Sequence, residues 1–137
     1  MRTDTKQWDI RTSPALVAMF PFPKYRIYSL NEAENVSTEL CKLYQIAGPS
    51  EILYLPRTWK EYGIYQELDH RLAIKHFAHC KTLFHEWYHH LDSMSKGLYD
   101  ANDNDGGTSS LGWQFAERLW SRIREERLCP TKPLLTT

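Results

Sequence analysis

Ala33, Val36, Leu40, Leu43 and Ile46 recur every three to four residues, the repeat of one buried helix face. Ser29-Leu30-Asn31-Glu32 ahead of them has capping-box form, and Gly48-Pro49 behind them is a stop. Two apolar runs, Tyr25-Arg26-Ile27-Tyr28 and Glu51 to Leu55, predict strands, the second closed by Pro56. Tyr62 to Gln66 and Arg71 to His76 predict a hairpin that turns at Leu68-Asp69-His70. Leu83, Phe84, Trp87, Leu91 and Met94 mark the buried faces of a helix from His79 to Ser95, ended by Gly97. A last helix, capped by Thr108, Ser109 or Ser110, carries an apolar stripe of Leu111, Phe115, Leu119 and Ile123 to about Leu128.

The order predicts an α+β domain over residues 24–128, a small mixed sheet of about four strands with the helix that begins at His79 and a C-terminal helix. Residues 1–23, with Pro14, Pro21 and Pro23, read as an N-terminal arm that packs through Trp8, Phe20 and Phe22. Residues 100–107 read as a flexible polar loop, and residues 129–137 as a flexible tail.

Composition narrows the classes. With 137 residues, 42% of them apolar, the chain can bury one core. Lys plus Arg and Asp plus Glu each number 17, so net charge gives no case for nucleic acid or an acidic membrane surface. Cys41, Cys80 and Cys129 are odd in number and far apart, which fits reduced thiols in a cytoplasmic protein better than a disulfide framework. Ala15 to Phe22 is too short to span a bilayer and is interrupted by Pro21, so no leader or membrane segment is expected.

All six histidines fall between His70 and His90, and two belong to His85-Glu86-Trp87-Tyr88-His89. Residues four apart on a helix diverge by only about 40° around its axis, so both imidazoles leave one face and can share one Zn²⁺. Glu86 on the flank is placed to take a proton from an activated water. A catalytic zinc needs a third protein ligand, and no histidine follows His90. Asp92 falls on the His85 face, where the expected roles are a ligand, a carboxylate that orients an imidazole, or a plain aspartate near the helix C-terminus. His90 points away from the pair, and His76, His79 and Cys80 lack ligand spacing.

Gly63-Ile64-Tyr65, Leu72-Ala73-Ile74 and Thr82-Leu83-Phe84-His85-Glu86-Trp87-Tyr88-His89-His90-Leu91-Asp92 together resemble the zincin metallopeptidases. The likeness is to minimal gluzincin-like domains, such as those associated with phages and plasmids, and it spans about residues 25–127. It implies one zinc per chain, hydrolysis of a peptide bond with Glu86 as general base, and a peptide or protein substrate. It also implies that the exposed edge strand, with Tyr62, Ile64, Tyr65 and Gln66, pairs with an extended substrate. Tyr65, Tyr88 or Tyr99 then supplies the oxyanion donor. The resemblance calls for a glutamate ligand on the last helix, and Glu117 is the candidate. The place two residues before Phe115-Ala116, where such a ligand tends to lie, holds Trp113.

That departure keeps a second class open, a zincin-fold metal-binding module without turnover, and a third, a structural zinc site in a mobile-element protein. Glu86-x-x-His89 is half of a di-iron bundle motif, but the chain has no second copy. Asp100 to Leu111 lacks the glycine and the final glutamate of an EF-hand loop. Arg118, Arg122, Arg124 and Arg127 are offset by Glu117, Glu125 and Glu126, as on a solvated helix face.

Overall fold

A computed structural model describes residues 8–96 and 111–128. The expected loop at 100–107, the caps at Thr108 to Ser110, the Gly97 stop and the 129–137 tail lie outside the described residues. Elements run α1 (Pro14–Ala18), α2 (Leu30–Tyr44), β1 (Glu51–Leu55), β2 (Gly63–Gln66), β3 (Arg71–Lys75), α3 (Cys80–Lys96) and α4 (Leu111–Leu128).

The fold is α+β, around a three-stranded mixed sheet of order β1-β3-β2. β1 and β3 are parallel, with Leu53 opposite Ala73, while β2 and β3 form the expected antiparallel hairpin, with Ile64 opposite Ala73. β2 therefore stands at one edge. The hairpin turn places His70 in the left-handed region at φ 52°, where its carbonyl accepts from Ser50 N–H at 2.8 Å. The strand expected at Tyr25 to Tyr28 is reduced to a single bridge between Arg26 and His79. Two further backbone bonds extend it, Ile27 N–H to Ala78 and Cys80 N–H to Tyr25. The segment is tied to the loop before α3 rather than to a strand, which leaves no ladder to extend.

Helix α2 starts where its capping signal lies. The Ser29 hydroxyl accepts from Glu32 N–H at 3.1 Å. The glutamate reaches back one residue further than a capping box requires, accepting from Tyr28 N–H at 2.8 Å and Lys24 Nζ at 3.0 Å. The helix ends at Tyr44, before Gly48-Pro49, because Gln45 turns left-handed at φ 55° and returns its N–H to Cys41 O. That closure ends the helix without glycine, and Ile46 packs on the core from outside it.

Every residue from Thr82 to Ser93 in α3 is buried, with the hairpin on one side and α4 making its largest interface. Leu83, Phe84, Trp87 and Leu91 fill the core as expected, and Trp87 Nε1 donates to Ser37 Oγ at 3.2 Å. Met94 lies beyond this buried run and is exposed. His79 begins the helix: its Nδ1 accepts from Lys81 N–H at 3.1 Å, a capping bond normally made by Ser, Thr, Asp or Asn. Tyr25 and Trp120 enclose its ring at 4.9 and 5.6 Å.

Residues 8–23 are more than a covering arm. Leu16 and Phe20 are buried in the main core, whereas Phe22, expected to anchor the arm, is 77% exposed. Arg127 donates to Phe20 O at 2.6 Å, and Tyr44 Oη donates to Asp9 O at 2.6 Å. No described helix is long and apolar enough to cross a membrane.

Leu16→Ala is expected to cost about 3 kcal/mol in guanidinium unfolding, the usual loss for a fully buried leucine. A loss under about 0.5 kcal/mol would make residues 8–23 a detachable arm instead. Burial, helped by the charges of Lys81 and Arg26, lowers the pKa of His79 from its usual 6.5. Below that value the unfolded chain takes up the proton more readily than the native one, so stability falls as pH falls. The wild type should lose more stability between about pH 7.5 and 5.5 than His79→Asn, which keeps a capping acceptor but does not titrate. Equal losses would remove His79 from the account.

Candidate metal centre

His85 and His89 project from consecutive turns of α3 and converge. Their Nε2 atoms lie 3.3 Å apart, and both side chains are almost fully buried, at 2% and 4% exposure. Two ligand nitrogens at about 2.05 Å from a tetrahedral zinc stand about 3.3 Å from each other. The pair is thus spaced as two corners of a zinc tetrahedron. Glu86 is buried beside them, its Oε2 3.7 Å from His85 Nδ1. Burying a carboxylate and two imidazoles together is costly unless each is satisfied, which is why such clusters mark working sites.

Two glycines make this packing possible. A Cβ on Gly112 at the start of α4 would stand 2.5 Å from His85 Cδ2 and 2.9 Å from its Nε2. A Cβ on Gly63 at the start of β2 would stand 2.9 Å from Glu86 Cγ and 3.1 Å from its Oε2. The backbones of α4 and the edge strand therefore press directly on the imidazole and on the carboxylate. Gly63 carries part of the sequence resemblance, but Gly112 was missed. Its signal was a glycine inside a helical stripe, a placement that costs about 1 kcal/mol relative to alanine and so calls for a packing reason.

The third ligand is where the expectations part from the structure. Glu117 is exposed and pairs with Lys81 Nζ at 2.8 Å, on the outer side of the α3–α4 contact. Trp113, one turn earlier, faces the histidines instead, its ring stacked on His85 at 4.0 Å and 30°. Asp92 is buried at 4% exposure. Among the described residues no group of three His, Cys, Asp or Glu is placed to hold a metal.

The remaining aromatic and imidazole groups have structural partners. His90 Nε2 lies 2.8 Å from Ala47 O, a pure acceptor, so that nitrogen carries the proton. His90 Nδ1 then accepts from Tyr65 Oη at 3.0 Å, and Tyr65 Oη accepts in turn from His70 Nδ1 at 2.8 Å. Burial lowers the pKa of His90 and pushes that of Tyr65 up to about 12, holding both groups neutral. Tyr65 thus ties the hairpin to α3, and its hydroxyl is committed to His70 and His90 rather than to His85 and His89. Tyr88 is buried against Phe115 at 5.5 Å, and Tyr99 lies outside the described residues. Tyr62, just before the edge strand, is 66% exposed; within the strand Gln66 is exposed and Ile64 is half-buried. Cys41 and Cys80 are free thiols.

The chain matches no protein-family model, no curated protein and no solved structure.

Gly112→Ala tests whether the close approach of α4 sets the His85 ring. Alanine would favour the helix by about 1 kcal/mol, yet the added methyl displaces the imidazole. Zinc affinity, measured by competition with a chromophoric chelator, is expected to fall at least about tenfold while the far-ultraviolet spectrum is kept. Unchanged affinity would mean that the ring is placed by α3 alone.

Proposed function

We propose that the chain is a zinc-dependent metallopeptidase, with His85 and His89 as protein ligands and Glu86 as general base. The observation that carries this reading is the 3.3 Å separation of the two Nε2 atoms beside a buried carboxylate that packs on the edge strand. Zinc bound there would supply a lowered water pKa and a polarised substrate carbonyl. The chain's own residues supply the rest. Among the described residues the edge strand β2 has a strand partner on one side alone, so its other side can pair with an extended peptide and set its register along Tyr62 to Gln66. Glu86, held against Gly63, sits at the level where that peptide would run. Its carboxylate takes a proton from the attacking water and returns it to the leaving amine. The low exposure of the cluster keeps bulk water from competing for that proton.

A second reading is favoured by Trp113. An indole stacked on His85, with no third ligand among the described residues, is what a zincin-fold module that binds metal without turnover would have. Its role would be binding or regulation rather than hydrolysis.

Glu86→Gln separates the two readings. The peptidase should keep one zinc per chain and lose cleavage of a quenched-fluorescence peptide library by about a thousandfold. A wild type that holds zinc yet cleaves nothing supports the module, and a variant as active as the wild type would sink the role of Glu86. Trp113→Glu is the complementary change, because it offers a carboxylate from the position that faces His85. It should raise zinc affinity about tenfold or more, and no gain would show that position 113 does not reach the metal.

A further inference from the structure

A basic cavity of about 490 Å³ opens beside the proposed catalytic cluster, where β2 begins and α3 starts. Arg26, Arg57, Lys75 and His76 line it together with Tyr62 and Thr82, and among the described residues the lining contains no carboxylate. Arg26, Arg57 and Lys75 take no part in the ion pairs among the described residues. Aromatic rings hold two of them instead. Lys75 Nζ lies 4.6 Å from the centre of the Tyr62 ring, and the Arg26 guanidinium 5.0 Å from that of Tyr25. Such contacts orient a cation without neutralising it, so the charge remains available to a ligand.

The wall of the cavity is held in place. Arg26 also donates to Phe77 O at 2.8 Å, and Phe77 N–H donates to Tyr54 Oη at 3.0 Å. Phe77 sits at φ 60°, a conformation unfavourable for a non-glycine residue that persists only where surrounding contacts impose it. The His76 ring packs against the Phe77 ring at 4.0 Å, tilted by 42°.

The cavity adjoins the Glu86 site through Thr82 and Gly63. Thr82, in its lining, is one helical turn before Glu86, and a Cβ on Gly63 would meet Thr82 Cγ2 and Glu86 Cγ at 2.9 Å each. Tyr62, also in the lining, is the residue next to Gly63. One strand residue advances the chain by about 3.3 Å. A peptide running along β2 past Glu86 therefore carries a side chain over this cavity within one or two residues of the bond at Glu86.

We propose that the cavity is a specificity subsite for an acidic side chain, Asp or Glu, of the peptide bound along β2. The proposal deepens the peptidase reading and rests on it for the word substrate, but binding can be measured without cleavage. A carboxylate entering here meets three cations with no competing anion in the lining, and the amino-terminal end of α3 adds a favourable dipole.

The test uses the full-length zinc-loaded Glu86→Gln protein and two fluorescein-labelled peptide pools. The pools are random except at one central residue, Glu in one and Gln in the other. Fluorescence anisotropy should give at least about tenfold tighter binding of the Glu pool, shrinking as NaCl is raised from about 0.05 to 0.5 M. Adding Arg57→Gln and Lys75→Gln should bring the ratio below about threefold, with the melting temperature showing that the variant is folded. Equal binding of the two pools, binding of neither, or a preference that survives both substitutions overturns the subsite. So does a single-stranded oligonucleotide that binds more tightly than the Glu pool and is lost with the same two cations, since the cavity would then read phosphate. A Glu preference in a wild type that cleaves no peptide leaves the subsite standing and removes the peptidase reading alone.

Discussion

The complete burial of α3 between Thr82 and Ser93 is the constraint on which the other elements depend. A helix buried all round must find partners on every face, and here one supplies the catalytic candidates while the others supply the core. Trp87 and Leu91 pack among the apolar residues, and His90 is satisfied by Ala47 and Tyr65. His85, Glu86 and His89 remain together in a low-dielectric cluster. Closing it takes backbone rather than side chains, because α4 and β2 approach at glycines, Gly112 against His85 and Gly63 against Glu86. Each bulkier residue would push apart the two surfaces that define the site.

The same constraint explains why the first residues belong to the fold. A helix whose neighbours must cover it on all sides needs more apolar surface than a three-stranded sheet and two helices offer. Leu16 and Phe20 extend that surface, with Phe20 edge-on to both Phe84 and Trp120 at about 6 Å. Tyr44 joins the segment to α2 through the hydroxyl that donates to Asp9 O. The segment that carries the short α1 is thus a layer of the core, although its prolines and irregular pattern read as an arm.

Charge is divided between two neighbouring regions. The cluster around His85 and His89 is buried and holds a carboxylate, while the cavity next to it is open and lined by cations that aromatic rings position. The balanced charge of the whole chain hides this polarity, since it arises from which residues the β2 edge and the β3–α3 turn bring together. Arg26 is held at the cavity by the bridge to His79 and the bonds that flank it, and Lys75 by the pairing of its N–H with Tyr62 O at the end of the hairpin.

The sequence by itself determined the elements whose signal is local. Helical spacing and the Ser29 capping bond located α2, turn chemistry located the hairpin, and the four-residue spacing of His85 and His89 put both rings on one face. What only the tertiary structure decided was everything set by contact across elements. Glu117 had the composition of a ligand, but the rotation of α4 against α3 turns it out to Lys81 and presents Trp113 to His85. Tyr65 had the place of an oxyanion donor, yet the approach of the hairpin to α3 commits its hydroxyl to His70 and His90. Gly112 carried no chemistry in the sequence and became the point where a helix backbone meets an imidazole. Periodicity fixes which residues share a face, because that follows from backbone geometry within one element. It leaves open which neighbouring face is met, because that is set by how all the buried surfaces close at once.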